Sequence, residues 1–240
     1  MAFAPVLQAE WIKIRTLRSS LGGVCAIVLA TAVFSALAGL DAEGDDFDPL
    51  VSTFFGVSFG QIAAIAFGAT AVSAEFQGGA LRVSLAAVPD RVRWFTAKAV
   101  AVGVPVLIAG LATGAVSLVV GKAVLGAKAD GLTWGEELRG VVGCGVYLAL
   151  MALFAAGLAA LLRSGVATLS ILVPFLLIVS FVVGGASGSV ADFLPDKAGQ
   201  LVLHQTSDSA LGPWTGLAVT GLWAAAALFA GAWSVRRRDA

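Results

Sequence analysis

Few residue types able to do chemistry occur in these 240 residues, and their spacing is restrictive. There is one His, His204, and there are two Cys, Cys25 and Cys144. No metal-ligand cluster can be assembled from these types at these separations. Cys25 falls near one end of its apolar run and Cys144 near the opposite end of its own, so a disulfide is disfavoured and both read as packing residues. The one Gly-Lys pair, Gly121-Lys122, precedes Ala123 and lacks the upstream Gly, so it cannot form the phosphate cradle of G-x-x-x-x-G-K-[ST]. No apolar segment carries Asp, Glu, Lys, Arg or His at its middle, which disfavours proton or ion coupling within the chain. What remains is a concentration of charge at residues 75–98, where Arg82, Arg91, Arg93 and Lys98 stand against Glu75 and Asp90. Positive charge between two long apolar runs marks a cytoplasmic loop, here one suited to being pushed by something in the cytoplasm.

The elements that must position this segment are apolar. Apolar residues make up 59% of the chain and charged residues only 12%, with a mean hydropathy of +0.94, which excludes an ordinary soluble domain. A hydrocarbon core about 30 Å thick needs about 20 apolar residues per helix. The sequence accommodates six spans, at about 21–40, 51–74, 99–121, 140–162, 165–184 and 214–235, as one all-α polytopic membrane domain with no large soluble part. With the amino terminus inside, 11 of the 15 Lys and Arg fall in the cytoplasm and 11 of the 15 Asp and Glu fall outside, so both termini are expected in the cytoplasm.

Along residues 5–18, Leu7, Trp11 and Ile14 share one helical stripe while Gln8, Lys13, Arg15 and Arg18 lie mostly off it. The pattern predicts an amphipathic interfacial helix, with a plain basic flank as the alternative. The first span resembles a signal peptide in its basic approach and its Ala36-Leu37-Ala38 triplet, but 20 uncharged residues exceed a signal core, so it is expected to be retained. Residues 41–48 hold five acids and no base and read as a solvated outer loop. Small-residue faces at Gly56/Gly60 and Gly110/Gly114 allow close helix approach, to a neighbour in the same chain or in a second copy. Gln61 is the most polar member of the second span, and Pro105 and Pro174 are expected bends. Arg163-Ser164 is a minimal turn that forces an antiparallel pair. Residues 185–213 form an outer segment whose Phe193, Leu194, Leu201, Val202 and Leu203 suggest partial insertion, with His204 as a polar surface residue.

Within residues 75–98, Leu81, Leu85 and Val88 recur at helical spacing while Arg82 and Ser84 point elsewhere. A short surface-lying helix at about 80–88 follows, loosened by Gly78 and Gly79 before it and stopped by Pro89. Asp90 is placed to cap the next helix.

Glu75, the run Gly78-Gly79-Ala80-Leu81-Arg82, Ser84-Leu85, Pro89, Arg91 and Lys98 together resemble the loop between the second and third spans of ABC-2-type ABC transporter permeases. The likeness extends to the amphipathic amino-terminal helix, the six spans and the outer segment before the last span. It implies a plasma-membrane permease subunit, an exporter by family habit, paired with a second permease copy and with cytoplasmic ABC ATPase subunits. ATP and Mg would be held by those ATPase subunits, this chain having no cofactor, no catalytic residue and no nucleic-acid partner. By that analogy residues 80–88 would be the coupling helix, with Glu75, Gly78, Gly79, Leu81, Arg82, Leu85, Pro89 and Arg91 as its functional residues and the Leu7/Trp11/Ile14 helix beside it. The Ala-, Val-, Leu- and Gly-rich spans are compatible with a hydrophobic or amphipathic substrate, and the composition points to a GC-rich bacterial genome. Two other readings stand beside this one. Gly185-Ala186-Ser187-Gly188 resembles the nucleophile motif of rhomboid-type intramembrane proteases, although His204 lies in the same outer segment and no later span supplies a His. A passive channel or scaffold is the third, against which the lack of a charged pore lining argues.

Overall fold

The computed structural model describes residues 3–16, 18–40, 48–179, 191–206 and 209–237, and among them every regular element is helical. In order they are α1 (Phe3–Thr16), α2 (Arg18–Leu40), α3 (Pro49–Phe54), α4 (Val57–Ser73), α5 (Ala80–Ala87), α6 (Arg91–Leu125), α7 (Trp134–Leu162), α8 (Gly165–Pro174), α9 (Pro195–Gln200) and α10 (Pro213–Arg237). Among the described residues five stretches are long and apolar enough to cross a membrane: Leu21–Ala38, Pro49–Phe76, Arg91–Ala129, Trp134–Leu162 and Pro213–Arg237. A sixth apolar helix, Gly165–Ile178, is shorter. The expected fifth span runs on to 184, and residues 180–184 lie outside the described ones.

The bundle is built around α7, which packs against α4, α6 and α10. Its apolar window is 67% buried, against 17% for α2, so α7 is the centre and α2 the periphery. The outer faces carry large apolar side chains in the open, among them Leu29, Val119, Val166, Leu222 and Phe229. An exposed apolar belt of this extent on helices of this length is the surface of a membrane-embedded protein.

Small residues set the closest approaches. A Cβ on Gly56 or Gly60 would collide with Thr31 of α2, and one on Gly110 would stand 2.8 Å from the Gly145 Cα of α7. Both small faces therefore meet neighbours in the same chain. Gly56 also marks a break: its N–H is bonded to Ser35 Oγ at 3.0 Å instead of continuing a helix, which separates α3 from α4. Pro105 sits inside the continuous α6, whereas Pro174 ends the α-helical part of α8 and a π-helical turn, Phe175–Val179, follows.

The two ends of the bundle differ in what closes them. At one end Asp48 caps α3 by accepting from the Leu50 and Val51 N–H groups, while its second oxygen accepts from Gln205 N–H at 2.8 Å. Asp48 is thus a structural cap, not a member of a freely solvated loop, and 41–47 lie outside the described residues. Lys122 pairs with Glu137 at 2.6 Å, because α6 and α7 both extend beyond the expected spans and bring these charges level. The segment expected at the outer interface is packed into the protein here: Pro195, Asp196, Ala198, Gly199 and Leu201–Leu203 are buried against α7 and α10. At the other end lie α1, α5, the start of α6, the Arg163 turn and the end of α10, where Arg91 donates to the Val235 carbonyl at 3.0 Å.

Substituting Gly56 with Ala should push α2 off α4 and lower the yield of monodisperse protein in detergent. Gly22→Ala, in the same helix pair but with open space around its Cβ position, should leave yield and thermal unfolding unchanged.

Candidate functional site

At the end of the bundle that carries α5, the chain must reverse twice in a few residues to place a short helix between two spans. A 3-10 turn, Ala74–Phe76, finishes the second span, and Gly78 and Gly79 then adopt φ of +59° and +75°. A side chain at either position would strain this left-handed backbone. The Gly79 carbonyl accepts from the Arg82 N–H at 3.0 Å and opens α5. After Val88 and Pro89, the Asp90 side chain accepts from the N–H groups of Val92 and Arg93, both at 3.1 Å, and starts α6.

This turn delivers Glu75 to the centre of a buried ion cluster. Glu75 Oε1 accepts from Lys98 Nζ at 2.7 Å and from Lys13 Nζ at 2.9 Å, and Oε2 accepts from Ser84 Oγ at 3.0 Å. Glu10 completes the ring, pairing with Lys13 at 2.9 Å and also with Lys98. Two carboxylates and two ammonium groups alternate, so the cluster is neutral overall. Glu10, Glu75 and Lys98 are each 5% exposed or less, and Lys13 reaches solvent. Removing such charges from water costs several kcal/mol each unless every one is paired. Here each is paired twice, and the four come from α1, the turn after α4, and α6, with Ser84 adding α5.

Burial alone would lower the Lys13 pKa, but its hydrogen bonds and charge interactions with Glu10 and Glu75 outweigh that and hold it above the ordinary 10.5. A base whose folded pKa is raised contributes stability below its unfolded value and loses it as pH rises through the folded one. The docking of α1 is therefore insensitive to this group across neutral pH and weakens only in alkali.

The expected site residues fall into distinct places. Leu81 is buried, Ser84, Leu85 and Val88 are half-buried, and Arg82, Val83, Ala86 and Pro89 are exposed on the far face of α5. Arg163, in a left-handed turn between α7 and α8, lies 5.5 Å over the Phe76 ring and lines a cavity of about 370 Å³ with Glu75, Gly79, Leu81 and Arg82. A second cleft, about 490 Å³ and mainly apolar, runs between α1 and α5 along Pro5, Val6, Ala9, Val83, Ala87 and Val88, with buried Trp94 also in its wall. On α1 the buried stripe is Val6, Glu10 and Ile14, rotated from the expected Leu7/Trp11/Ile14 stripe. Leu7 and Trp11 are half-buried and face α6. The rotation follows from Glu10, a charge that the cluster draws inward. Glu10, Lys13 and Ser84 were not expected as site residues. Their one sequence signal is position: Glu10 lies four residues from both Val6 and Ile14, on the apolar side of an amphipathic helix.

A second polar group lies toward the opposite end. The Tyr147 hydroxyl donates to Gln61 Oε1 and accepts from Gln200 Nε2 at 3.3 Å, linking α4, α7 and α9. His204 is half-buried, its carbonyl accepting from Arg139 at 2.7 Å. Burial, with the nearby Lys197 charge, lowers its pKa against the opposing pull of Asp48. Ser187 and its flanking glycines lie outside the described residues. Among the described residues no group of three or more His, Cys, Asp or Glu could hold a metal ion, and Cys25 and Cys144 are free.

Comparison with protein-family models finds no match, and comparison with curated proteins finds none either.

Glu75→Gln should leave Lys98 and Lys13 short of a counter-charge, at a cost of about 3–5 kcal/mol. A thermal unfolding temperature lower by several degrees, with wild-type behaviour for Asp130→Asn at an exposed carboxylate, is the expected outcome in detergent. For His204 the sign is opposite to Lys13: a lowered folded pKa gives stability above 6.5 that is lost as pH falls below it. Proteolysis of residues 191–206 should accelerate on acidification through that range, and His204→Asn should remove the dependence.

Proposed function

We propose that this chain is the membrane-spanning permease subunit of an ATP-driven transporter of the ABC-2 type, moving a hydrophobic or amphipathic substrate with energy supplied by a separate ATPase. The observation that carries the reading is the construction of α5. An eight-residue helix stands at the end of the bundle between two membrane-length helices, tied through Ser84 to Glu75 after the first and, through Glu75, to Lys98 of the second, with its opposite face exposed. A lever needs these two properties: a rigid attachment to the spans and a free face for whatever drives it.

The free face has the composition of a protein-docking surface. Val83 is 73% exposed, Ala86 and Ala87 lie beside it, and the apolar cleft toward α1 adjoins them. An apolar side chain of the ATPase would seat in that cleft, while Arg82, on the side of α5 that lines the cavity with Arg163, would provide polar contact. The resemblance of residues 75–98 to the ABC-2 loop supports the same assignment of Glu75, Gly78, Gly79, Leu81, Arg82, Leu85, Pro89 and Arg91. In this reading the cell membrane holds six spans with both termini in the cytoplasm, the shorter Gly165–Ile178 helix being part of the fifth. A second permease copy would complete the pathway, and ATP and Mg would bind the ATPase alone.

The test is recovery of partners from the native membrane by affinity purification, followed by an ATPase assay. A soluble ATPase should co-purify, and Val83→Glu combined with Ala86→Glu, both exposed positions of α5, should remove it while leaving the unfolding temperature of the permease unchanged. Recovery of the chain without any ATPase after gentle crosslinking would reject the permease reading and favour a channel or scaffold. Proteolytic activity lost in Ser187→Ala would favour the protease.

A further inference from the structure

The face of α1 that turns away from the ion cluster forms a groove with α6. Its walls are Leu7 and Trp11 on one side and Val100, Ala101 and Val104 on the other, enclosing about 330 Å³ with Gln8 as the one polar side chain. Val100 and Val104 are 37% and 40% exposed on a helix long enough to cross a membrane, so the groove opens onto the apolar belt and not onto water. A dry, apolar, membrane-facing groove is filled by hydrocarbon.

One end of it is cationic. Positions 4, 8, 11 and 15 lie on one helical face, so Arg15 stands one turn beyond Trp11 along the same side of α1. Arg15 is exposed and has no hydrogen-bond or ion-pair partner among the described residues, in contrast to Lys13, which the cluster consumes. The half-buried Trp11 between them is the residue type favoured at the boundary of headgroups and acyl chains. Apolar groove, interfacial indole and unpaired guanidinium thus succeed one another in the order of an anionic amphiphile.

We infer that the α1–α6 groove binds one anionic phospholipid, with an acyl chain against Leu7, Trp11, Val100 and Val104 and its phosphate on Arg15. The site is independent of the ATPase assignment and requires only that the helices lie in a membrane. Its occupant braces α1 from the side opposite the ion cluster, so α1 is held between a lipid and four charges.

Native mass spectrometry of the delipidated chain, titrated with phosphatidylglycerol or phosphatidylcholine, tests this directly. One phosphatidylglycerol should bind in preference to phosphatidylcholine. Arg15→Gln, an exposed change that leaves the fold intact, should weaken phosphatidylglycerol about fivefold, the effect of one cation beside an anionic lipid, and leave phosphatidylcholine unaltered. Val104→Trp should fill the groove and remove the adduct, whereas Val119→Trp, on the open face of the same helix, should not. Equal binding of the two lipids, or an adduct indifferent to both Arg15→Gln and Val104→Trp, would overturn the proposal.

Discussion

Four charges clustered at one corner of an apolar bundle, three of them buried, decide how this protein is put together. Glu10, Lys13, Glu75 and Lys98 have few cheap alternatives: water reaches only Lys13, and hydrocarbon is close by. Each is tolerable only while the others stay in place, which makes the cluster cooperative. Because its members come from α1, the end of the second span and α6, any displacement of one element breaks pairs with the other two. Ser84 extends the constraint to α5. A surface helix that would otherwise be marginal at eight residues is therefore fixed to the membrane-embedded helices through hydrogen bonds to charged groups.

The rest of the bundle supplies a rigid frame for that corner. Glycine and alanine allow α7 to be approached closely by α4, α6 and α10, and the contacts are backbone-to-backbone at places such as Gly110–Gly145. Packing of this kind transmits displacement because it leaves little free volume to absorb it. Tyr147, Gln61 and Gln200 tie the same central helix to the buried α9 at the other end, so α7 connects both ends of the molecule.

Helical class and membrane character were legible because both are written in composition: spans are long apolar runs, and lipid imposes few other architectures. Turn chemistry was equally plain, since Gly78, Gly79, Pro89 and Asp90 act within a few residues of where they stand. Neither the inward rotation of α1 nor the depth of α9 could be read, for one physical reason. Glu10 and Asp196 are charged residues that are buried, and a periodicity argument assigns charge to the surface. Glu10 is drawn inward by Lys98, 88 positions away in the chain, and only the fold brings them together. The start of α6 at Arg91 follows the Asp90 cap read from the sequence, whereas α7 begins at Trp134, ahead of the apolar run from 140, because the cap at Thr133 and not hydropathy sets its start.

Through the ion cluster α1 and α5 form one mechanical unit with the ends of the spans. Hydrogen exchange of the purified chain, followed by mass spectrometry, addresses it most directly. Amides of residues 3–16 and 80–87 should open together, and Lys98→Met should accelerate both by a similar factor. Rapid, independent exchange of α1 while α5 stays protected, or a Lys98→Met effect confined to one of the two helices, would contradict it.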